Sequence, residues 1–152
     1  MRVIKIIKGT CCDGLGLRNS VYVAGCIHHC PGCHNPQSWD FNNGHDMTVD
    51  EVFNEVYDDY CDVTLTGGDP ALQHRECLDL CKRLKAHGKN IWMYTGYLYE
   101  DLKVRCPELL KFIDVLVDGR YDQKLRDVTT RFCGSTNQRI IHLKNGEITA
   151  IE

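Results

Sequence analysis

The sequence predicts an α/β protein: a partial, incomplete β/α barrel with a mostly parallel sheet and a C-terminal β-hairpin. Three observations carry that expectation. Strand-like and helix-like stretches alternate through most of the chain, and each unusual Gly- or Cys-rich loop follows a strand. The length of 152 residues is short of the roughly 200 or more that a closed (β/α)8 barrel needs. With 43% apolar and 26% charged residues the chain supports one ordinary core, so residues 1–152 are expected to form a single domain.

In chain order, Val3 to Ile7 reads as a short strand, Asp13-Gly14-Leu15-Gly16 as a turn, and Val21-Tyr22-Val23-Ala24 as a buried strand leading directly into a cysteine loop. A helix is expected from Thr48. Thr48 and Glu51 have capping-box spacing, and Val49, Val52, Phe53, Val56 and Tyr57 keep helical periodicity. Asp62 to Thr66 is the next strand, ending at Gly67-Gly68-Asp69-Pro70. An amphipathic helix then runs from about Glu76 to His87 and stops at Gly88. Ile91 to Thr95 is a strand broken by Gly96, followed by a polar helical segment that Pro107 interrupts or ends. Val115-Leu116-Val117 is closed by Asp118-Gly119. Strands separated by helices imply a parallel sheet, because the crossover returns the chain to its starting edge. The C-terminal stretch departs from this alternation. There Arg139 to Leu143 and Glu147 to Ile151 flank Lys144-Asn145-Gly146, whose Asn-Gly pair favours a hairpin turn.

Composition excludes several classes. A net charge of -3 and a pI near 6.1 argue against a nucleic-acid partner, since phosphate binding draws on clustered Lys and Arg. No apolar run reaches the roughly 18 to 20 residues that span a bilayer, so no membrane association is expected. The N-terminus lacks a signal peptide's long apolar stretch, and the expected location is the cytoplasm.

Ten cysteines in such a chain point to metal ligation rather than disulfides. Cys26, Cys30 and Cys33 form a C-x3-C-x2-C group in which Gly25, Pro31 and Gly32 let a short loop curl so that the thiolates converge. Four cysteines normally hold an electron-transfer [4Fe-4S] cluster. Three leave one iron open, and a bidentate amino acid such as the methionine moiety of S-adenosylmethionine (SAM) can chelate it. The rival is a structural zinc site completed by His28, His29 or His34. Cys11, Cys12, Cys61, Cys77, Cys81, Cys106 and Cys133 show no second ligand spacing; Cys77, Leu80, Cys81 and Leu84 read as an apolar core stripe.

In parallel α/β architectures ligands bind beyond the carboxyl ends of strands. The cysteine loop, Gly67-Gly68-Asp69, Gly96-Tyr97 and Asp118-Gly119 are therefore expected on one rim, with an open flank that would admit a loop of another protein.

The cysteine loop after one strand and the Gly-Gly-acid turn after the next resemble the radical SAM superfamily. Within it, Gly25 to Asn35, Thr66-Gly67-Gly68-Asp69-Pro70, Tyr94-Thr95-Gly96-Tyr97, Leu116-Val117-Asp118-Gly119 and Gly134-Ser135-Thr136-Asn137-Gln138-Arg139 resemble, in order, the family of activating proteins of anaerobic (class III) ribonucleoside-triphosphate reductase. The chain departs from that pattern at Leu15, where the family often has Pro, and at Cys133, where it often has Arg.

The resemblance implies a partial radical SAM barrel, a [4Fe-4S] cluster on Cys26, Cys30 and Cys33, and reductive cleavage of SAM to a 5′-deoxyadenosyl radical. That radical would abstract a glycine hydrogen near the C-terminus of the large reductase subunit, with an electron donor such as a flavodoxin. It implies SAM contacts from Gly32, Cys33 and His34 near the adenine and from Gly67, Gly68 and Asp69 at the methionine amine. Thr95 and Asp118 would face the ribose or carboxylate, and no catalytic side chain is needed beyond the cluster ligands. Another small radical SAM enzyme, such as a different activase or a modified-nucleoside synthase, and a non-catalytic zinc-binding module are the alternatives.

Overall fold

The computed structural model describes residues 1–129 and 131–152. Eight strands form a single sheet: β1 (Arg2–Thr10), β2 (Arg18–Val23), β3 (His45–Asp46), β4 (Asp62–Gly67), β5 (Ile91–Tyr94), β6 (Val115–Asp118), β7 (Arg139–Lys144) and β8 (Glu147–Ile151). Their order across the sheet is β3-β1-β2-β4-β5-β6-β7-β8.

The expectation of a mostly parallel sheet is corrected. β2, β4, β5 and β6 pair in parallel, while β1 with β2, β1 with β3, β6 with β7 and β7 with β8 are antiparallel. The connections explain the difference, because a parallel pair needs a crossover and an antiparallel pair does not. α1 (Val49–Val56) crosses between β2 and β4, α2 (His74–Ala86) between β4 and β5, and α3 (Tyr99–Arg105) with α4 (Pro107–Leu110) between β5 and β6. β1 reaches β2 through a short turn without a helix, and β6 reaches β7 through a segment whose only helix among the described residues is a short 3-10 turn, Gln123–Leu125.

Local signals place the helices. Thr48 Oγ1 accepts from the Glu51 amide at 3.1 Å while the Glu51 carboxylate accepts from the Thr48 amide at 3.0 Å, a complete capping box. Gly88, at φ +77°, follows the end of α2. Pro107 both ends α3 and opens α4, where its missing N–H is harmless. The hairpin of β7 and β8 turns on Asn145 and Gly146, both at positive φ. No helix among the described residues is long and apolar enough to cross a membrane.

The strands alternate. Val21, Val23, Val63, Leu65, Met93 and Leu116 join the main core, whereas Trp92, Val115, Val117 and Ile140 form a smaller cluster on the other face. Cys77 and Cys81 lie in the main core, as their stripe predicts. Burial pushes the Cys77 thiol up to about 12 and the Cys81 thiol well above its ordinary value, so both remain neutral. On the opposite face the Arg18 guanidinium is buried, donating to Thr64, Leu15, Val63 and Asn90.

Candidate metal centre

The end of β2 is shaped to launch a closed loop. Gly25 has φ +100°, and a Cβ there would overlap the Phe41 ring. Its amide donates to the Ser38 carbonyl at 2.7 Å, and the Cys26 amide donates to Trp39 at 3.3 Å, so the loop is clipped at its base. Within it His29 has φ +48° and stacks on Trp39, ring centroids 4.6 Å apart. The Cys33 amide then donates to the Cys30 carbonyl at 3.0 Å across Pro31 and Gly32.

Cys26, Cys30 and Cys33 are all half-buried. The Cys33 sulfur accepts from the Asn35 amide at 3.4 Å. Burial pushes the Cys26 thiol up, and the nearby backbone amides of His28 and His29 pull the other way. Amide donors of this kind stabilise an anionic sulfur and tune a cluster bound to it. Among the described residues, no three His, Cys, Asp or Glu side chains converge on a point that would take a single metal ion.

Gly67 and Gly68 leave room for the chain itself. A Cβ on Gly67 would overlap the Val23 backbone, and one on Gly68 the Gly25 carbonyl oxygen. The Gly68 amide donates to Val23 and the Asp69 amide to Gly25, each at 2.8 Å. The glycine pair thus lets the root of the cysteine loop press onto the end of β4.

Asp69, Thr95 and Asp118 are buried at the strand ends. The Asp69 side chain is 1% exposed, and its carboxylate accepts from Thr95 Oγ1 at 2.9 and 3.0 Å, the Gly96 amide at 2.9 Å, the Ala71 amide at 3.0 Å and His28 Nε2 at 2.7 Å. Thr95 Oγ1 in turn accepts from the Tyr97 amide. Asp118 is fully buried, accepting from the Tyr99 amide at 2.7 Å and from Arg139 at 3.0 and 2.5 Å. Its carboxylate pushes the Arg139 guanidinium above its ordinary range. These three side chains join strand ends to one another.

The space beside the loop is walled by residues of the predicted site together with Tyr121, Gln123 and Asn137, to which sequence reasoning gave no individual role. One cavity of about 360 Å³ is lined by His28, Cys30, Arg120, Tyr121, Gln123 and Asn137, among others. A second, of about 400 Å³, brings Cys33 and His34 together with Cys12, Tyr94, Tyr121 and Cys133. A third, of about 470 Å³, runs along Ile27, Gly96, Tyr97, Leu98 and Arg120. A Cβ on Gly32 would overlap Gln123, so this glycine lets the loop approach that wall. The His34 ring lies 5.2 Å from that of Tyr121.

The Gly134 to Arg139 run builds the same wall. Asn137 Nδ2 donates to the Arg120 carbonyl at 2.8 Å, Gln138 Nε2 to that of Gly119 at 3.0 Å, and Gln138 Oε1 accepts from the Gly134 amide at 2.7 Å. Polar density in 119–138 was the available signal. Its long-range pairings were not visible in sequence spacing.

Residues 12–141 match the family model described as a 4Fe-4S single cluster domain. The chain is 36% identical over 142 residues to the anaerobic ribonucleoside-triphosphate reductase-activating protein of Escherichia coli (strain K12), covering 87% of this chain and 92% of that one. The protein of the same name from Enterobacteria phage T4 is 40% identical over 136 residues, covering 84% and 85%. That of Haemophilus influenzae is 36% identical over 140 residues, covering 86% and 90%.

Proposed function

Because the chain belongs to the 4Fe-4S single cluster domain family and to the family of anaerobic ribonucleoside-triphosphate reductase-activating proteins, we propose that it activates the anaerobic reductase as a radical SAM enzyme, with Cys26, Cys30 and Cys33 holding a [4Fe-4S] cluster. The observation that carries the reading is one clipped loop bearing three half-buried thiols beside cavities large enough for a nucleoside. The donor set fits. Fe–S clusters are held by cysteine thiolates, and Cys26, Cys30 and Cys33 on one loop would supply three of them. When bound, the cluster supplies one electron, and SAM cleaved there yields methionine and the 5′-deoxyadenosyl radical that removes a glycine hydrogen from the large reductase subunit.

The protein's own residues bind, orient and exclude water. The Asn35 amide, donating to the Cys33 sulfur, orients that ligand. In this reading Gly32 and His34 present backbone to the adenine, and the strand end at Gly67 and Gly68 supports the methionine end. Asp69, Thr95 and Asp118 keep the strand ends fixed beneath them. The parallel block of β2, β4, β5 and β6 forms the wall of a partial barrel within one domain, and its open side admits the reductase loop. A flavodoxin-type donor supplies the electron.

The test is an anaerobic preparation assayed for iron, sulfide and zinc, then given dithionite and SAM. Iron and sulfide in cluster proportion, with 5′-deoxyadenosine and methionine formed, are expected. Stoichiometric zinc without iron, or a reduced cluster that leaves SAM intact, contradicts the reading.

A further inference from the structure

The cysteine loop is solvent-facing, yet one of its side chains is turned inward. His28 retains only 7% of its side-chain exposure and sets Nε2 2.7 Å from Asp69 Oδ2. The Asp69 carboxylate also accepts from Thr95, Gly96 and Ala71, and an ionised carboxylate only accepts, so the imidazole N–H donates to it. The ring packs edge-on against Tyr97, centroids 4.6 Å apart, and lies where any side chain on residue 96 would sit.

The backbone of the same residue is held as well. Arg120 Nη2 donates to the His28 carbonyl at 2.9 Å. One residue between two thiols is therefore tied to the ends of β4 and β5 and to the loop after β6.

We propose that His28 is a positioning residue for the cluster: the Asp69 carboxylate, through the His28 imidazole, fixes the peptide between Cys26 and Cys30 in the shape that takes the iron. The proposal rests on the cysteine loop being the cluster site. An apolar side chain would fill the same space without the cost of burying a carboxylate and an imidazole together. A pair of this kind contributes geometry, because hydrogen-bond direction fixes where the loop backbone stands. The effect resembles that of outer-shell partners of metal ligands, whose loss typically weakens metal binding about 10- to 100-fold.

The test compares the full chain with His28→Phe, which keeps a flat ring without a donor, and His28→Gln, which keeps an N–H of similar reach. Three readouts are taken: alkylation rates of Cys26, Cys30 and Cys33 in the apoprotein by mass spectrometry, iron and sulfide uptake under anaerobiosis, and the EPR spectrum and midpoint potential of the reduced cluster. His28→Phe is expected to keep its circular-dichroism melt near wild type, alkylate Cys30 faster, take up iron about 10- to 100-fold more weakly and shift the EPR spectrum, with His28→Gln restoring most of each. If His28→Phe does not fold, Asp69→Asn is read by the same measurements. Unchanged alkylation, loading and spectrum in a folded variant overturn the proposal. Failure of the wild type to take up iron overturns the cluster reading instead, and the apoprotein alkylation rates then decide separately whether the pin orders the loop.

Discussion

The helix-covered face of the sheet and its carboxyl-end rim are held together by different forces. On the helix side Val21, Leu65, Leu84 and Leu116 are fully buried among apolar neighbours, an arrangement that depends on volume and not on direction. At the rim the buried groups include two carboxylates, Asp69 and Asp118, each matched to several donors from different strand ends. The first region stabilises the fold. The second sets the shape of the cysteine loop and of the cavity walls, and a small displacement there alters function before it alters stability.

Substitutions separate the two. Cys30→Ala is expected to abolish cluster binding and SAM cleavage while the apoprotein melt stays within a few degrees of wild type; a melt lowered as far as that of a core variant would erase the distinction. Leu116→Ala does the reverse, lowering unfolding free energy by about 2–5 kcal/mol in denaturant titration while the folded fraction still loads iron. Thr48→Ala, which removes the capping box of α1, should cost about 1 kcal/mol and leave the cluster spectrum unchanged.

Acid titration gives the smallest effect. Asn19 Nδ2 and the amides of Cys61 and Tyr60 hold the Asp58 carboxyl at about 2, below its ordinary 3.8. A carboxyl lowered by folding stabilises fully above its unfolded value and loses that contribution as pH falls through the folded one. Melting temperature should therefore drop between about pH 4 and pH 2, and Asp58→Asn should flatten that limb without changing loading at neutral pH.

Features set by neighbouring residues were legible in the sequence. The cysteine spacing, the Thr48 and Glu51 cap, the Cys77 and Cys81 core stripe and the Asn145-Gly146 turn each declare themselves within a few positions. Strand direction at the sheet edges was less so, because β1 and β7 look like any other apolar strands and their connections alone make them antiparallel. The Gly67-Gly68-Asp69 turn was recognised but its physics was not. Its glycines face Val23 and Gly25, and its acid faces His28, across distances in sequence of about forty residues. Arg120 reaches His28, 92 residues away, and Asn137 and Gln138 reach Arg120 and Gly119, 17 and 19 residues away.

The central claim is tested most directly by mixing the anaerobically prepared protein with the large subunit of an anaerobic ribonucleoside-triphosphate reductase, dithionite and SAM, and recording the EPR spectrum of the reductase. A backbone glycyl radical that requires SAM, disappears with Cys30→Ala and is accompanied by 5′-deoxyadenosine is the expected result. A radical that forms without SAM, or 5′-deoxyadenosine released with no radical on the reductase, would contradict the account.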